Sequence, residues 1–389
     1  MNKIFFNLAA GDAHPGARAY DRDNAARLRM LFAHSPRFAP TPLRPLDRLA
    51  SRLGVGELWA KDERGRWGLG SFKSLGGAYA VVDLAADLLS KREGRAISPA
   101  NIFAGRAPKA GELTVATATA GNHGRAVAFG AQMAGARAVI FVYGDVPRPQ
   151  IEAIARLGAE VVTVDGDYEA ACRAAKDACA QHGWIMVSDV AEQGYTAIPE
   201  RIMQGYSVLA AEALEQLPKP PTHLFLQAGV GGMATPVAST LTNCVSPPPR
   251  IAVVEAATVP CLMESARNNR QTRTEPSGPT NLNRLDCPTP SSTTWPLLRA
   301  MAGLYVGVDN DTAAEAAQLL GEEGFPTTAT GAAGLAGLLA LSREPGASGN
   351  FNLGAASRVL IVLTEQALTG LPVAAEAVSS GSRSQPVMP

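Results

Sequence analysis

The sequence predicts an α/β protein built on open parallel sheets, and three observations carry that reading. Between residues 124 and 189 apolar runs alternate with segments of helical periodicity, the pattern of successive βαβ crossovers. Strand-like apolar runs recur at 222–229, 250–257 and 358–365. Apolar residues make up 46% of 389 residues, enough for a large core. In chain order, ELTVATAT (112–119) reads as a strand, GRAVAFGAQMAG (124–135) as a helix and AVIFVYG (138–144) as a buried strand. RPQIEAIARLGA (148–159) reads as a short amphipathic helix and EVVTVDG (160–166) as the next strand. YEAACRAAKDACAQHG (168–183) follows as a helix and WIMVSD (184–189) as a strand. The length predicts two or three domains. The expected division is a smaller α/β unit over 66–190 and a larger one combining 1–65 with 191–389. The polar, Pro-rich stretch 264–296 is expected to be a lid or insertion loop, and the tail 379–389 to fray.

Charge and cysteine usage narrow the function. Lys plus Arg and Asp plus Glu are both 35, so the basic excess that nucleic acid or an anionic membrane requires is missing. No apolar run reaches the length of a membrane span, and the N-terminus lacks the apolar core of a signal peptide. Five cysteines without a CxxC suggest neither a disulfide framework nor a zinc site. A cytoplasmic protein is expected, with no resident metal, no nucleic-acid partner and no membrane partner.

Five short stretches can carry chemistry. In KDERGRWGLGSFKSLGGAYA (61–80), Lys73 stands at the mouth of a helix, where the macrodipole favours the neutral amine that a nucleophile needs. The competing reading is a solvated lysine, but Phe72, Leu75 and the Gly76–Gly77 pair around it suggest burial. TATAGNHG (117–124) ends a strand in a Gly-flanked turn that can turn amides toward an anion. Asn122 there offers a neutral amide to an oxygen; His123 is a base candidate or a packed histidine. LQAGVGGMA (226–234) brings Gly229, Val230, Gly231 and Gly232 after a strand, a turn whose amides can wrap a phosphate. It is not a complete dinucleotide fingerprint, because no acid lies between 242 and 250 and Glu255 comes late. Asp189 in VSDVAEQGY (187–195) ends a strand, the edge where parallel sheets place ligands; Glu192 is a weaker candidate. Thr364 in VLIVLTEQ (359–366) puts a hydroxyl at a strand end. A lysine for an aldehyde, a glycine turn for a phosphate, an amide for a ring oxygen and a hydroxyl for a ring nitrogen together fit pyridoxal 5'-phosphate.

These motifs are also familiar. SFKSLGG and GNHG, together with QAGVGGMA and VLIVLTE, resemble the fold-type II pyridoxal-phosphate enzymes, the group of tryptophan synthase β and threonine dehydratase. IPERIMQGY (198–206) and LDCPTPSSTTW (285–295) are most similar to the diaminopropionate ammonia-lyases. The resemblance implies two sheet domains with the active site between them and a PLP-dependent carbon–nitrogen lyase. Such an enzyme carries out α,β-elimination on 2,3-diaminopropionate to give pyruvate and ammonia, as a homodimer. It implies that Lys73 holds the cofactor and exchanges protons and that Asn122 meets the ring oxygen. Gly229 to Gly232 would take the phosphate, and Thr364 would meet the pyridine nitrogen. Asp189 would act as acid/base, with Thr119, Ala120 and Ser292 on the substrate. The sequence departs from the family at three places. Ala120 replaces the acid of a TDGNHG pattern, TTATGAAG (327–334) lacks the acid of an SGESGA-like stretch, and Gln366–Ala367 follow the TE. One carboxylate fewer implies a preference for the L enantiomer. A serine/threonine dehydratase, a lyase for another β-substituted amino acid, and a non-catalytic PLP-binding protein are the alternatives.

Overall fold

The computed structural model describes residues 1–8, 10–11, 15–119, 121–144 and 146–367. Ala120 and the tail 379–389 lie outside the described residues. The strands are β1 (Lys3–Phe6), β2 (Leu43–Pro45), β3 (Glu57–Asp62), β4 (Thr114–Ala118), β5 (Arg137–Tyr143) and β6 (Glu160–Val164). They continue with β7 (Ile185–Met186), β8 (His223–Gln227), β9 (Arg250–Ala256), β10 (Ala302–Val308) and β11 (Arg358–Leu363). Two sheets result. One has the order β6-β5-β4-β7 and is parallel throughout; the other has the order β1-β10-β9-β8-β11-β3-β2. The larger sheet is parallel in its interior, but β1 and β2 pair antiparallel at its two edges. These edge strands have four and three residues, short enough to close an edge without a crossover helix.

Apolar residues cover both faces of the central strands. Leu224, Leu226, Val253, Leu360 and Val362 point into a core shared with Val115, Ile140 and Val142 of the smaller sheet. Their neighbours Phe225, Ala252, Val254, Ile361 and Leu363 point into a second core on the far face. The alternation is the period of two of a strand, and filling both faces produces the continuous apolar runs seen in the sequence.

The shared core is crossed by the helix Lys73–Glu93, which packs against the helices Asn122–Ala134 and Ala197–Gln216. Glycines set the closeness of those crossings. A Cβ on Gly77 would lie 2.7 Å from the Cβ of Ala126, and one on Gly205 would lie 2.8 Å from the Cα of Gly76. No side chain fits at either place.

The stretch 264–296 is only partly the loop expected. Its start belongs to the helix Cys261–Asn268, and Leu282, Leu285, Ser291, Thr294 and Trp295 are buried. Leu282 and Leu285 join the second core, so the latter half is a packed wall and only about 267–281 is largely exposed.

Candidate active site

The chain collects its candidate residues just past the C-terminal ends of parallel strands, the edge at which open α/β sheets bind ligands. Thr119 follows β4, Asp189 lies beyond β7, Gly229 follows β8 and Thr364 follows β11. Strand β7 stops at Met186 rather than at Asp189, because the chain turns there: the Tyr195 hydroxyl donates to the Met186 carbonyl at 2.9 Å and accepts from the Ser188 amide at 2.9 Å.

Lys73 opens its helix and donates from Nζ to Asp189 Oδ2. Burial works to lower the lysine and raise the acid. The ion pair outweighs it, holding Lys73 well above the ordinary lysine range and Asp189 well below that of a carboxylate. The sequence expectation of a neutral amine is therefore reversed in this state. The carboxylate in contact overrides both burial and the helix terminus. His123, only 4% exposed, sits beside the pair with Nδ1 3.9 Å from Asp189 Oδ2. Its Nε2 lies 2.8 Å from the Val187 carbonyl. A carbonyl only accepts, so Nε2 carries the proton; burial lowers the imidazole pKa and leaves Nδ1 bare.

The other members join through backbone and side chain. The Phe72 amide donates to the Thr364 carbonyl at 3.2 Å, tying the lysine to the end of β11. Glu365 is buried. Its carboxylate accepts from Asn122 Nδ2, from Thr328 Oγ1 at 2.5 Å and from Arg284 Nε at 2.8 Å. Asn122 Oδ1 in turn accepts from Arg125. On the opposite side, the Ser291 amide and the Thr294 hydroxyl both donate to the Val230 carbonyl, at 3.1 and 2.5 Å. The Ala191 amide donates to Ser291 Oγ at 2.9 Å. The wall formed by 282–296 thereby fixes the glycine turn against the Asp189 loop. Ser292 is tied by its amide and hydroxyl to the Ala191 carbonyl, both at 3.3 Å. Thr119 Oγ1 accepts from the Gly121 amide at 3.3 Å.

Two sequence candidates leave the site. Glu192 is exposed and pairs with Lys176 at 2.7 Å. Glu255 is buried and accepts from the Leu262 and Met263 amides at 2.7 and 2.8 Å, at the start of the helix Cys261–Asn268. It satisfies a helix terminus rather than a ribose. Glu365, Arg284, Gln227 and Cys287 are additions. Glu365 had a signal, an acid directly after a buried apolar strand. Arg284 and Cys287 lie in a polar stretch without periodicity and had none.

The residues present fit pyridoxal phosphate. Among the described residues the amides of Gly229, Val230, Gly231 and Gly232 donate to no protein acceptor, and they precede the helix Ala234–Cys244. Gly231 holds φ at 95°, and a Cβ on Gly229 would meet Cys287 Sγ at 2.8 Å. This is a bare anion cradle at a helix start. Thr364 Oγ1 accepts from Gln227 Nε2 at 3.4 Å and keeps its own proton free for a nitrogen acceptor. Both ends of the Asn122 amide are engaged, leaving one Nδ2 hydrogen for a ring oxygen.

Comparison with known proteins agrees with this class of site. Residues 34–365 match the family model of pyridoxal-phosphate dependent enzymes. Diaminopropionate ammonia-lyase of Escherichia coli strain K12 is 35% identical over 340 residues, covering 86% of this chain and 83% of that protein. The Salmonella typhimurium strain LT2 protein of the same name is 37% identical over 291 residues, covering 72% and 71%. The crystal structure of the holo Escherichia coli enzyme superposes with a TM-score of 0.82 at 32% identity, covering 94% of both chains. The chain belongs to the family of pyridoxal-phosphate-dependent enzymes, with the fold-type II architecture and pyridoxal 5'-phosphate as its cofactor.

Proposed function

We propose that this enzyme is a carbon–nitrogen lyase that eliminates ammonia from 2,3-diaminopropionate, giving pyruvate, with preference for the L enantiomer. Lys73 is the amine that holds the cofactor. Gly229, Val230, Gly231 and Gly232 take its phosphate, Asn122 its ring oxygen and Thr364 its pyridine nitrogen. Bound there, the cofactor supplies an electron sink for the pair left when the substrate loses its Cα proton. The chain's own residues do the rest. Lys73 donates to Asp189 in the cleft, so an acid and a base stand together where one can accept the Cα proton and return it to the leaving β-amino group. The free hydroxyl of Thr364 donates to the ring nitrogen without a full charge, which keeps the sink mild. Thr119, Ala120 and Ser292 are the proposed substrate contacts. A homodimer in the cytoplasm is the proposed assembly.

The observation that carries this reading is the Lys73–Asp189 ion pair beside the four free amides of the 229–232 turn. The relatives named above support the substrate. Ala120, in place of the family's acid, supports a single active face. The test is keto-acid formation from L- and D-2,3-diaminopropionate by the holoenzyme. The L form is expected to react at least about tenfold faster. Equal rates would remove the stereochemical claim, and no pyruvate from either form would remove the substrate.

A further inference from the structure

Two acceptors face each other in the cleft. Asp189 Oδ2 stands 3.9 Å from Nδ1 of His123. The tautomer of that imidazole is fixed, because Nε2 donates its hydrogen to the Val187 carbonyl at 2.8 Å. The same bond anchors the stretch that carries Asp189 two residues further on. Nδ1 is left without a hydrogen-bond partner, on a side chain only 4% exposed. A bare nitrogen opposite a carboxylate, shut off from water, is a pair short of one proton. While Lys73 is free, its ammonium donates to the same Oδ2 and supplies the need. Once Lys73 is committed to the cofactor, it has no free ammonium to give. The electrostatics point the same way. Burial is the largest cause lowering the His123 pKa, Lys73 lowers it further, and Asp189 raises it. Engaging Lys73 therefore removes one of the two lowering causes and leaves the carboxylate in place.

The neighbouring groups cannot take the proton instead. The other titratable side chains that feel Asp189 are Tyr168, Tyr195, Tyr206 and Cys287. Burial, and with it Asp189, holds Tyr195 and Tyr206 above the ordinary phenol range and pushes the Cys287 thiol up to about 12. Tyr168 is half-exposed, and a phenol keeps its proton at neutral pH. Each of the four already carries a hydrogen. Apart from Lys73, His123 is the one group beside Asp189, among the described residues, that offers a bare nitrogen.

We infer that His123 is a positioning residue acting through Asp189, and that the two side chains hold the Cα proton between them until the leaving β-amino group takes it. This rests on the elimination reading above, with Asp189 as the group that receives the proton. The step needs no oxidant or reductant. The Cα–H bond breaks and its proton enters between Asp189 Oδ2 and His123 Nδ1. The electron pair left behind becomes the second Cα–Cβ bond, the Cβ–N bond breaks, and its pair leaves on nitrogen. That nitrogen takes the stored proton and departs as ammonia.

The first test reads the proton itself. In holoenzyme labelled with nitrogen-15 histidine, the His123 signals are assigned among the five histidines by their loss in His123→Gln. The Nδ1 shift should move off the value of a bare nitrogen as pH falls through neutrality. In Asp189→Asn holoenzyme the midpoint of that movement should lie about one pH unit or more lower. The second test uses turnover. In His123→Gln kcat should fall by about tenfold or more, with KM changed by less than about threefold. The acid limb of its kcat–pH profile should lie about one unit or more lower, because no bare acceptor then favours the protonated pair. A merely packed imidazole would not move that limb. Should His123→Gln fail to fold, the comparison of unaltered and Asp189→Asn holoenzyme still decides, with the signals assigned by elimination of the other histidines. An Nδ1 that stays bare from about pH 5 to 8 in the holoenzyme, a midpoint indifferent to Asp189→Asn, or an acid limb untouched by His123→Gln overturns the inference and leaves the elimination reading standing. No keto acid from any β-substituted amino acid removes the elimination reading and the inference with it.

Discussion

Gly76 and Gly205 meet where two helices cross: a Cβ on Gly205 would stand 2.8 Å from the Cα of Gly76 and closer still to the Leu75 carbonyl. Neighbouring Phe72 and Tyr206 rings lie 4.8 Å apart edge to face. The crossing therefore fixes the height of Lys73 above the cleft. Gly205→Ala must push backbone against backbone, and neither side is a flexible chain end. The expected cost is about 1–3 kcal/mol, read by denaturant unfolding. Because the shift is transmitted along the lysine's own helix, cofactor retention should fall with it. Full stability with full retention would show that the helices slide apart without consequence.

A buried ionic cluster holds the strand leading into that helix. Glu212 accepts from Lys61 Nζ at 2.7 Å and from Arg66 Nη2 at 2.6 Å, and Arg66 also pairs with Glu63 at 2.7 Å. All four side chains are at most 1% exposed. Burial already lowers the Lys61 pKa, so removing its acid leaves a cation that water does not reach. Glu212→Gln should destabilise the fold by about 3–5 kcal/mol. A loss under 1 kcal/mol by chemical denaturation would mean that solvent enters the cluster.

Much of the fold was legible because its central strands are buried on both faces. Runs such as LFLQ and VLIVL carry the signal without any need for alternation. The edges were not legible. β1 and β2 are too short for any period, and β10 hides behind two glycines in AGLYVGV. The site divided in the same way. Lys73, Asn122, Asp189, the 229–232 turn and Thr364 sit at strand ends and helix starts, where local sequence announces the geometry. Arg284 and Cys287 reach the cleft from a stretch whose path is set by Leu282 and Leu285 docking into a distant core, and nothing local encodes that.

Glu365 organises the Asn122 side of the cleft, since its one carboxylate accepts from Asn122, Thr328 and Arg284. In Glu365→Gln one of the two acceptor oxygens becomes a donor, so the side chain no longer accepts at both ends, and Arg284 loses its only acid among the described residues. Asn122 and Arg284, which share one carboxylate oxygen, are left with a single neutral acceptor at best, which weakens the contact that orients the Asn122 amide. Cofactor affinity is expected to drop by about tenfold or more, measured by titrating the apoenzyme with pyridoxal phosphate and following absorbance. Unaltered affinity would place Asn122 outside the cofactor contacts.

Lys73→Ala tests the attachment directly. Borohydride treatment of the unaltered holoenzyme should fix the cofactor to the peptide containing residue 73, detected by mass analysis, and the variant should carry no label. A label on another lysine would move the site. The variant also strips Asp189 of its cation. Burial then raises the Asp189 pKa instead of being overruled, so the carboxyl should titrate at higher pH than in the unaltered protein.

Asp189→Asn separates proton transfer from architecture, and the pH dependence gives the sign. In the cofactor-free protein Asp189 is held well below, and Lys73 well above, the values of about 3.9 and 10.4 that an unfolded chain shows. A depressed acid adds stability that is lost as pH falls through its folded value. A raised amine adds stability that is lost as pH rises through its own. Between about pH 5 and 9 the pair's contribution is therefore level. With asparagine at 189, burial is the largest influence left on Lys73 and lowers its pKa. A lysine titrating below its unfolded value is stabilised in the fold only when neutral. The variant's stability should then rise with pH toward about 10, where the unaltered protein shows no such slope. Turnover of the holoenzyme should fall by about 10²-fold or more if Asp189 moves a proton in the slow step. A variant that gains the pH slope yet keeps its turnover would make Asp189 a holder of Lys73 and leave the lysine as the acid and base.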